Sequence, residues 1–297
     1  MNDRIAGFER YLRDVRSVSK NTLDCYLRDI RHFQAYTESL HLQEPADISG
    51  KVITDYADIL RQEHKSDATV LRNIASIRCF YRFLISEGQA SMNPAKQVTL
   101  ETPKKKFPQI LNGKEIELFL SQPDPSALKG CRDKAMLELL YATGIRVSEL
   151  VALNLEDFNA GAGILRCVHS KAKREIPVYA TAVSAVSEYL RRMRSVMFLS
   201  EIGQPLFVNM HGSRMTRQGF WKIVKGYAEQ ARISKEITPH TLRHSFALHL
   251  LENGAELKDI QVMLGYADIS SAQVYARLMD NHFKEVYRQC HPRAKLG

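Results

Sequence analysis

The stretch Thr238–Leu251, TPHTLRHSFALHLL, decides how this chain is read. Thr238 followed by Pro239 is a strong helix start, with threonine as the N-cap and proline at the first helical position. His240 then falls in the first turn, Arg243 lies one turn further, and His240, Arg243 and His244 share a face. Three chemistries compete for that face. A metal site would use His240 and His244 as an i,i+4 ligand pair, but the glutamate of an H-E-x-x-H site is missing and a permanent guanidinium would lie beside the cation. Histidines that only cap or pack are common, and on this stretch alone that reading stays open. An oxyanion site suits every part: arginine grips a phosphate with two donors, histidine adds a third, and the helix N-terminus contributes its positive end.

A phosphate-transfer site would also need a second cation, a proton donor and a nucleophile, and the flanking sequence supplies candidates. ATGIRVSEL, residues 142–150, carries Arg146 and Glu149 just after a Thr143-Gly144 turn. HSKAKRE, residues 169–175, places Lys171 and Lys173 at the tip of an expected hairpin. LGYADISSAQVYARL, residues 264–278, brings Tyr266 and Tyr275 after a helix stop at Gly265.

The bulk properties agree with a polyanionic partner. The chain has 297 residues, 44% of them apolar, and a formal net charge of +9 with a pI near 9.3. Residues 1–100 hold 14 Lys and Arg against 13 Asp and Glu, whereas residues 101–297 hold 28 against 20. The excess charge therefore belongs to the C-terminal two thirds, although solvated surface helices would also account for it. No apolar run approaches the roughly 20 residues of a membrane span, and the first residues, MNDRIAGFERYL, are charged where a signal peptide would be apolar, so a cytoplasmic protein is expected. Cys25, Cys79, Cys131, Cys167 and Cys290 are scattered and never form a C-x-x-C pair, which suggests reduced filler residues.

Periodicity predicts helices throughout the first hundred residues. Leu23, Tyr26, Leu27, Ile30 and Phe33 recur at three-and-four spacing behind a Ser19 cap. Leu71, Ile74, Ile77, Tyr81 and Leu84 repeat the pattern behind Asp67, with Arg72, Ser76 and Arg82 expected on other faces and Gly88 as the stop. Weaker helices are expected near 4–14 and 52–64. The segment NPAKQVTLETPKKKFPQI, with three prolines and Lys104–Lys106, reads as a linker. This divides the chain into a helical domain over 1–100, a linker over 101–110 and a second domain over 111–297. The second domain should open with an Asn112–Glu115 capping box and be mostly helical, with a hairpin from GILRCVHSK and REIPVYA and a short PLFV strand.

Taken in order, ATGIR, the lysine hairpin, HTLRH, LGYAD and Tyr275, followed by a CHPRA ending, resemble the tyrosine recombinase family, and within it the bacterial Xer recombinases. The resemblance runs the whole length. It implies a mainly α, two-domain protein: a helical, SAM-like core-binding domain, then a mostly helical catalytic domain with a small antiparallel sheet. By the same resemblance, Arg146 and Arg243 hold the nonbridging oxygens of the scissile phosphate. Tyr275 is the nucleophile that forms a 3′-phosphotyrosyl link, and Lys171, favoured over Lys173, is the general acid. His240 hydrogen-bonds the phosphate, and Glu149 orients its neighbours. Tyr266 stands where the family usually has histidine in LGH, and the lysine hairpin is shorter than the Xer GKGNKERLVP. A phenol still donates to a phosphate oxygen.

The resemblance implies no metal and no cofactor. The expected partner is double-stranded DNA carrying a specific recombination site, engaged by a tetramer on paired sites through a Holliday junction, in chromosome dimer resolution or with a mobile element. A sister recombinase, a DNA translocase and an accessory activator are candidate further partners. A type IB topoisomerase and a catalytically inactive DNA-binding architectural or regulatory protein are the alternatives. Beyond Tyr275, Leu278, His282, Val286 and Cys290 form an apolar stripe, expected to pack locally or to dock on a neighbouring subunit.

Overall fold

The computed structural model describes residues 2–42, 44–100, 107–168, 173–192 and 204–279, and the chain divides into two compact units, Met1–Lys105 and Lys106–Gly297. Unit 1 is four helices: α1 (Asn2–Arg10), continued by a π-helical turn over Tyr11–Val15, α2 (Lys20–Ser39), α3 (Gly50–Gln62) and α4 (Asp67–Ser86). Their apolar faces meet in one core that includes Phe8, Ile30, Phe33, Ile53, Ile77 and Leu84. Ser19 caps α2 as its sequence predicts, accepting from the Thr22 N–H. The cap of α4 is Ser66 rather than Asp67, which sits in the first turn where its charge favours the helix dipole. Arg72 and Ser76 also depart from expectation. They turn toward α2, where Asp29 takes Arg72 Nε and Nη2 at 3.0 and 2.8 Å and the Ser76 hydroxyl at 2.8 Å.

Unit 2 opens with α5 (Gly113–Leu120), begun by the Asn112–Glu115 capping box. It continues through α6 (Leu128–Thr143), α7 (Val147–Ala152), α8 (Ala180–Arg192), α9 (Arg217–Ala231), α10 (Pro239–Glu252), α11 (Leu257–Leu264) and α12 (273–279). Between α7 and α8 lies an antiparallel sheet in the order β1 (Phe158–Asn159), β2 (Ile164–Cys167) and β3 (Arg174–Pro177), with Cys167 opposite Arg174 at the hairpin end. PLFV is not a strand. Pro205 and Val208 make single bridges to Asn154 and Arg214, because the partners of this buried run are loops rather than extended chain. α6 is buried nearly all round and anchors a large core, with a smaller core formed by α10, α11 and α12 around Phe246, Leu264 and Tyr275. Among the described residues no helix is long and apolar enough to cross a membrane. Cys25, Cys79, Cys131 and Cys167 are free thiols, and Cys290 lies outside the described residues.

Candidate active site

The site is built from the ends of helices. Thr238 caps α10 as its sequence predicts, accepting from Thr241 N–H at 3.1 Å, with Pro239 next. That start leaves His240 exposed while Arg243, one turn on, is buried. A buried guanidinium needs partners. Arg243 finds them at two helix C-termini, where orphan carbonyls carry the negative end of the dipole. Its Nη1 donates to Gly144 O at the end of α6, and its Nη2 donates to Leu264 O at the end of α11, 2.8 Å away. Gly144 and Gly265, the two C-caps, have φ of 59° and 63°, the left-handed region open to glycine. A Cβ on Gly144 would come within 2.3 Å of the Phe246 ring.

The last turn of α11 holds two further arginines. Arg174 Nε donates to Met263 O at 2.6 Å, and Arg146 Nη2 reaches Gly265 O at 3.4 Å. Gly265 lies against Arg174, for a Cβ there would sit 2.7 Å from its Nη1. Glu149 ties the cations together. It accepts the Arg146 backbone N–H at 2.7 Å, opening α7, and takes Arg174 Nη1 and Nη2 at 2.9 and 3.2 Å. Burial alone would raise the Glu149 pKa, but the Arg174 hydrogen bonds, the Arg146 N–H and both guanidinium charges outweigh it and hold the carboxyl below its ordinary value.

Tyr266 and Tyr275 complete the cluster. The Tyr266 ring lies 5.1 Å from the Arg243 guanidinium and 5.9 Å from that of Arg146, within cation–π range. Its hydroxyl is 3.1 Å from the hydroxyl of Tyr275, whose other contact is His244 Nδ1 at 2.9 Å. Tyr275 is fully buried. Burial first, then the neighbouring Tyr266, push its phenol above the ordinary tyrosine pKa even though Arg243 pulls the other way. His244 moves in the opposite sense: burial, then His240 and Arg243, bring it down to about 4, so its imidazole is neutral. The His240 and His244 rings are 6.4 Å apart, and with Nδ1 engaged by Tyr275 they do not form a ligand pair. Among the described residues no group of three His, Cys, Asp or Glu side chains is placed to hold a metal.

Comparison with known proteins assigns the architecture. The model of the Phage integrase family matches residues 109–282, and that of the Phage integrase, N-terminal SAM-like domain, matches residues 5–88. This chain belongs to the phage integrase family. Its relatives include Tyrosine recombinase XerD of Listeria monocytogenes serotype 4b, 43% identical over 99% of this chain and all of the relative. They also include Tyrosine recombinase XerD of Oceanobacillus iheyensis, 45% identical over 98% of each. Among solved structures, XerA recombinase aligns with a TM-score of 0.55 at 25% identity over 98% of this chain and 99% of that one. XerH bound to a palindromic difH substrate after cleavage shares the fold, with a TM-score of 0.75 at 21% identity over 96% and 84%.

In this member of the phage integrase family, Arg146, Glu149, Arg243, Tyr266 and Tyr275 converge on the end of α11. His240 stands at the rim, sharing with Arg146, Arg217 and Trp221 a cleft of about 350 Å3. Lys171 lies outside the described residues, and Lys173 is exposed beside β3. Two participants escaped the sequence reading. Arg174 directly follows the lysines, and the alternation of β3 was the available signal that it points inward. His244 appeared as part of the metal, packing or oxyanion face but not as a partner of the nucleophile, and nothing local indicates that α12 would bring Tyr275 against it.

Proposed function

We propose that this member of the phage integrase family is a site-specific DNA recombinase that cleaves and rejoins strands through a covalent 3′-phosphotyrosyl link. The observation that carries the proposal is the position of Tyr275. The hydroxyl of the motif tyrosine lies against Tyr266, whose ring is covered by both motif arginines. Arg146 and Arg243 would grip the nonbridging oxygens of one phosphate, stabilising charge as it grows in the transition state. His240 and the Tyr266 hydroxyl are further donors to that phosphate, and Glu149 orients Arg146 and Arg174. Lys171, with Lys173 as the second candidate, would protonate the departing 5′-oxygen. Two arginines supply the positive charge that a metal ion supplies elsewhere, so neither a metal nor ATP enters the scheme. Full-length similarity to Xer recombinases together with these intact residues favours this enzyme over an inactive DNA binder or a topoisomerase.

The substrate is double-stranded DNA with a specific site. Residues 1–100 and 111–297 would both engage it, joined by the 101–110 linker. Tyr275 is buried whereas Arg146 is half-exposed, so the seating of α12 sets where its hydroxyl stands relative to a phosphate gripped by the arginines. Docking of the segment after Asn281 on a neighbouring subunit of a tetramer would fix that seating. A nicked suicide duplex tests the proposal. The nick lets the short fragment that leaves with the free 5′-hydroxyl diffuse away and traps a covalent adduct, which should form in excess EDTA and map to Tyr275. Absence of any adduct on DNA that the protein binds specifically would favour the inactive binder.

A further inference from the structure

Among the described residues, the Tyr275 hydroxyl has two polar contacts, the Tyr266 hydroxyl at 3.1 Å and His244 Nδ1 at 2.9 Å. Attack on phosphorus requires this hydroxyl to lose a proton. A second phenol is far too weak a base to take it. Among the described residues, the groups that act on His244 are His240 and Arg243 on its own helix and Tyr275 on α12. No carboxylate is among them, and Glu149 is committed to Arg146 and Arg174. We infer that His244 is a further catalytic residue, which aims the Tyr275 hydroxyl and takes its proton as the oxygen attacks.

This rests on Tyr275 being the nucleophile. His244 follows Arg243 in α10, so the residue that grips the phosphate and the residue that grips the nucleophile are set by one rigid turn. An imidazole with a pKa of about 4 is neutral at physiological pH, and when Nδ1 accepts from the phenol its own proton sits on Nε2. The Tyr275 O–H then points at Nδ1, and the oxygen lone pairs point elsewhere, available to phosphorus. Burial first, then the neighbouring His240 and Arg243, depress His244, and the negative charge of a phosphodiester held by Arg146 and Arg243 opposes that depression. An added negative charge favours the protonated imidazole, so His244 becomes a stronger base when substrate is present. In the step itself the Tyr275 Oη–P bond forms and the P–O5′ bond breaks. The phenolic proton passes to His244 Nδ1, and the leaving 5′-oxygen takes a separate proton from the lysine.

The test uses the full-length protein and nicked duplexes selected by the wild-type protein from a pool of nicked genomic fragments. Single-turnover adduct formation is measured from pH 6 to 10 for wild type, His244→Ala and His244→Gln, each with a 5′-oxygen or a bridging 5′-sulfur leaving group. Glutamine accepts a hydrogen bond but cannot take the proton, and it keeps the site filled if alanine loosens the fold. Both variants should bind DNA as wild type does and form adduct about 100-fold more slowly at pH 7.5. The defect should shrink as pH rises, because hydroxide then removes the phenolic proton, and it should persist with the sulfur leaving group, which needs no acid. Wild-type rates in His244→Gln, a defect independent of pH, or rescue by sulfur would each overturn the role. A wild-type protein that forms no adduct at Tyr275 would instead sink the recombinase proposal itself.

Discussion

Asp29 in unit 1 and Glu149 in unit 2 are both buried carboxylates that take paired hydrogen bonds from an arginine. Asp29 meets Arg72 and the Ser76 hydroxyl, and its charge is balanced by one guanidinium whose side chain remains 38% exposed. Glu149 meets Arg174, only 5% exposed, and also Arg146, while Arg243 joins them at the end of α11. One pair is electrically closed and fastens α2 to α4. The other cluster holds more positive charge than its carboxylate neutralises, and that surplus is what a phosphate would meet. The count of partners around a buried carboxylate, more than the presence of an ion pair, separates a fastener from a receptor.

The sharpest way to break the comparison is to remove the group that the surplus serves. Tyr275→Phe should keep specific DNA binding, since the arginines remain, and lower adduct formation by about four orders of magnitude or more. Adduct formation by that variant would point to Tyr266, whose hydroxyl is adjacent. Next, Glu149→Ala removes the buried carboxylate that Arg146 and Arg174 share and should cost about 3–5 kcal/mol in calorimetric unfolding, with loss of cleavage. Asp29→Ala leaves Arg72 able to turn to water and should cost only about 1–2 kcal/mol, with cleavage retained. Equal costs would mean that the two carboxylates are equivalent.

Glycines give a finer version of the same contrast. Gly265→Ala forces a left-handed alanine against the Arg174 guanidinium and should cost about 2–3 kcal/mol and slow cleavage. Gly88→Ala, with φ of 69° but open space around it, should cost only about 1 kcal/mol and leave the chemistry alone. Acid titration carries the smallest effect. The Glu149 pKa is lowered on folding, so its contribution is present above the ordinary carboxylate pKa of about 4.3 and is lost as pH falls through the folded value. Stability measured from pH 7 down to pH 3 should fall less steeply in Glu149→Gln than in wild type.

The parts legible in the sequence are those set by near neighbours. The Thr238-Pro239 start, the Asn112–Glu115 box, the Thr143-Gly144 turn, the Gly265 stop and the β2–β3 hairpin each depend on residues a few positions apart, and each is found where its pattern predicts. Meetings of distant segments are not encoded in that way. Arg72 and Ser76 look like surface residues until α2 places Asp29 beside them, and His244 looks idle until α12 arrives. PLFV has the composition of a strand but lacks an extended partner, which a local pattern cannot supply. The expected stripe after Tyr275 is represented among the described residues by Leu278, partly buried against the α10–α12 core, while His282, Val286 and Cys290 lie outside them.

The three arginines at the end of α11 are held by main-chain oxygens of Met263, Leu264 and Gly265. A carbonyl is common to all twenty amino acids, so the acceptors of this cage survive any substitution that keeps the turn in shape. Met263 and Leu264 are then answerable only to the core they pack in, and they can drift among apolar side chains without disturbing the cations. Gly265 cannot, because its missing side chain is the space that Arg174 occupies. Mutational tolerance should therefore divide sharply within a single helical turn: permissive at two positions, closed at the third, and closed again at each arginine that comes from elsewhere in the chain.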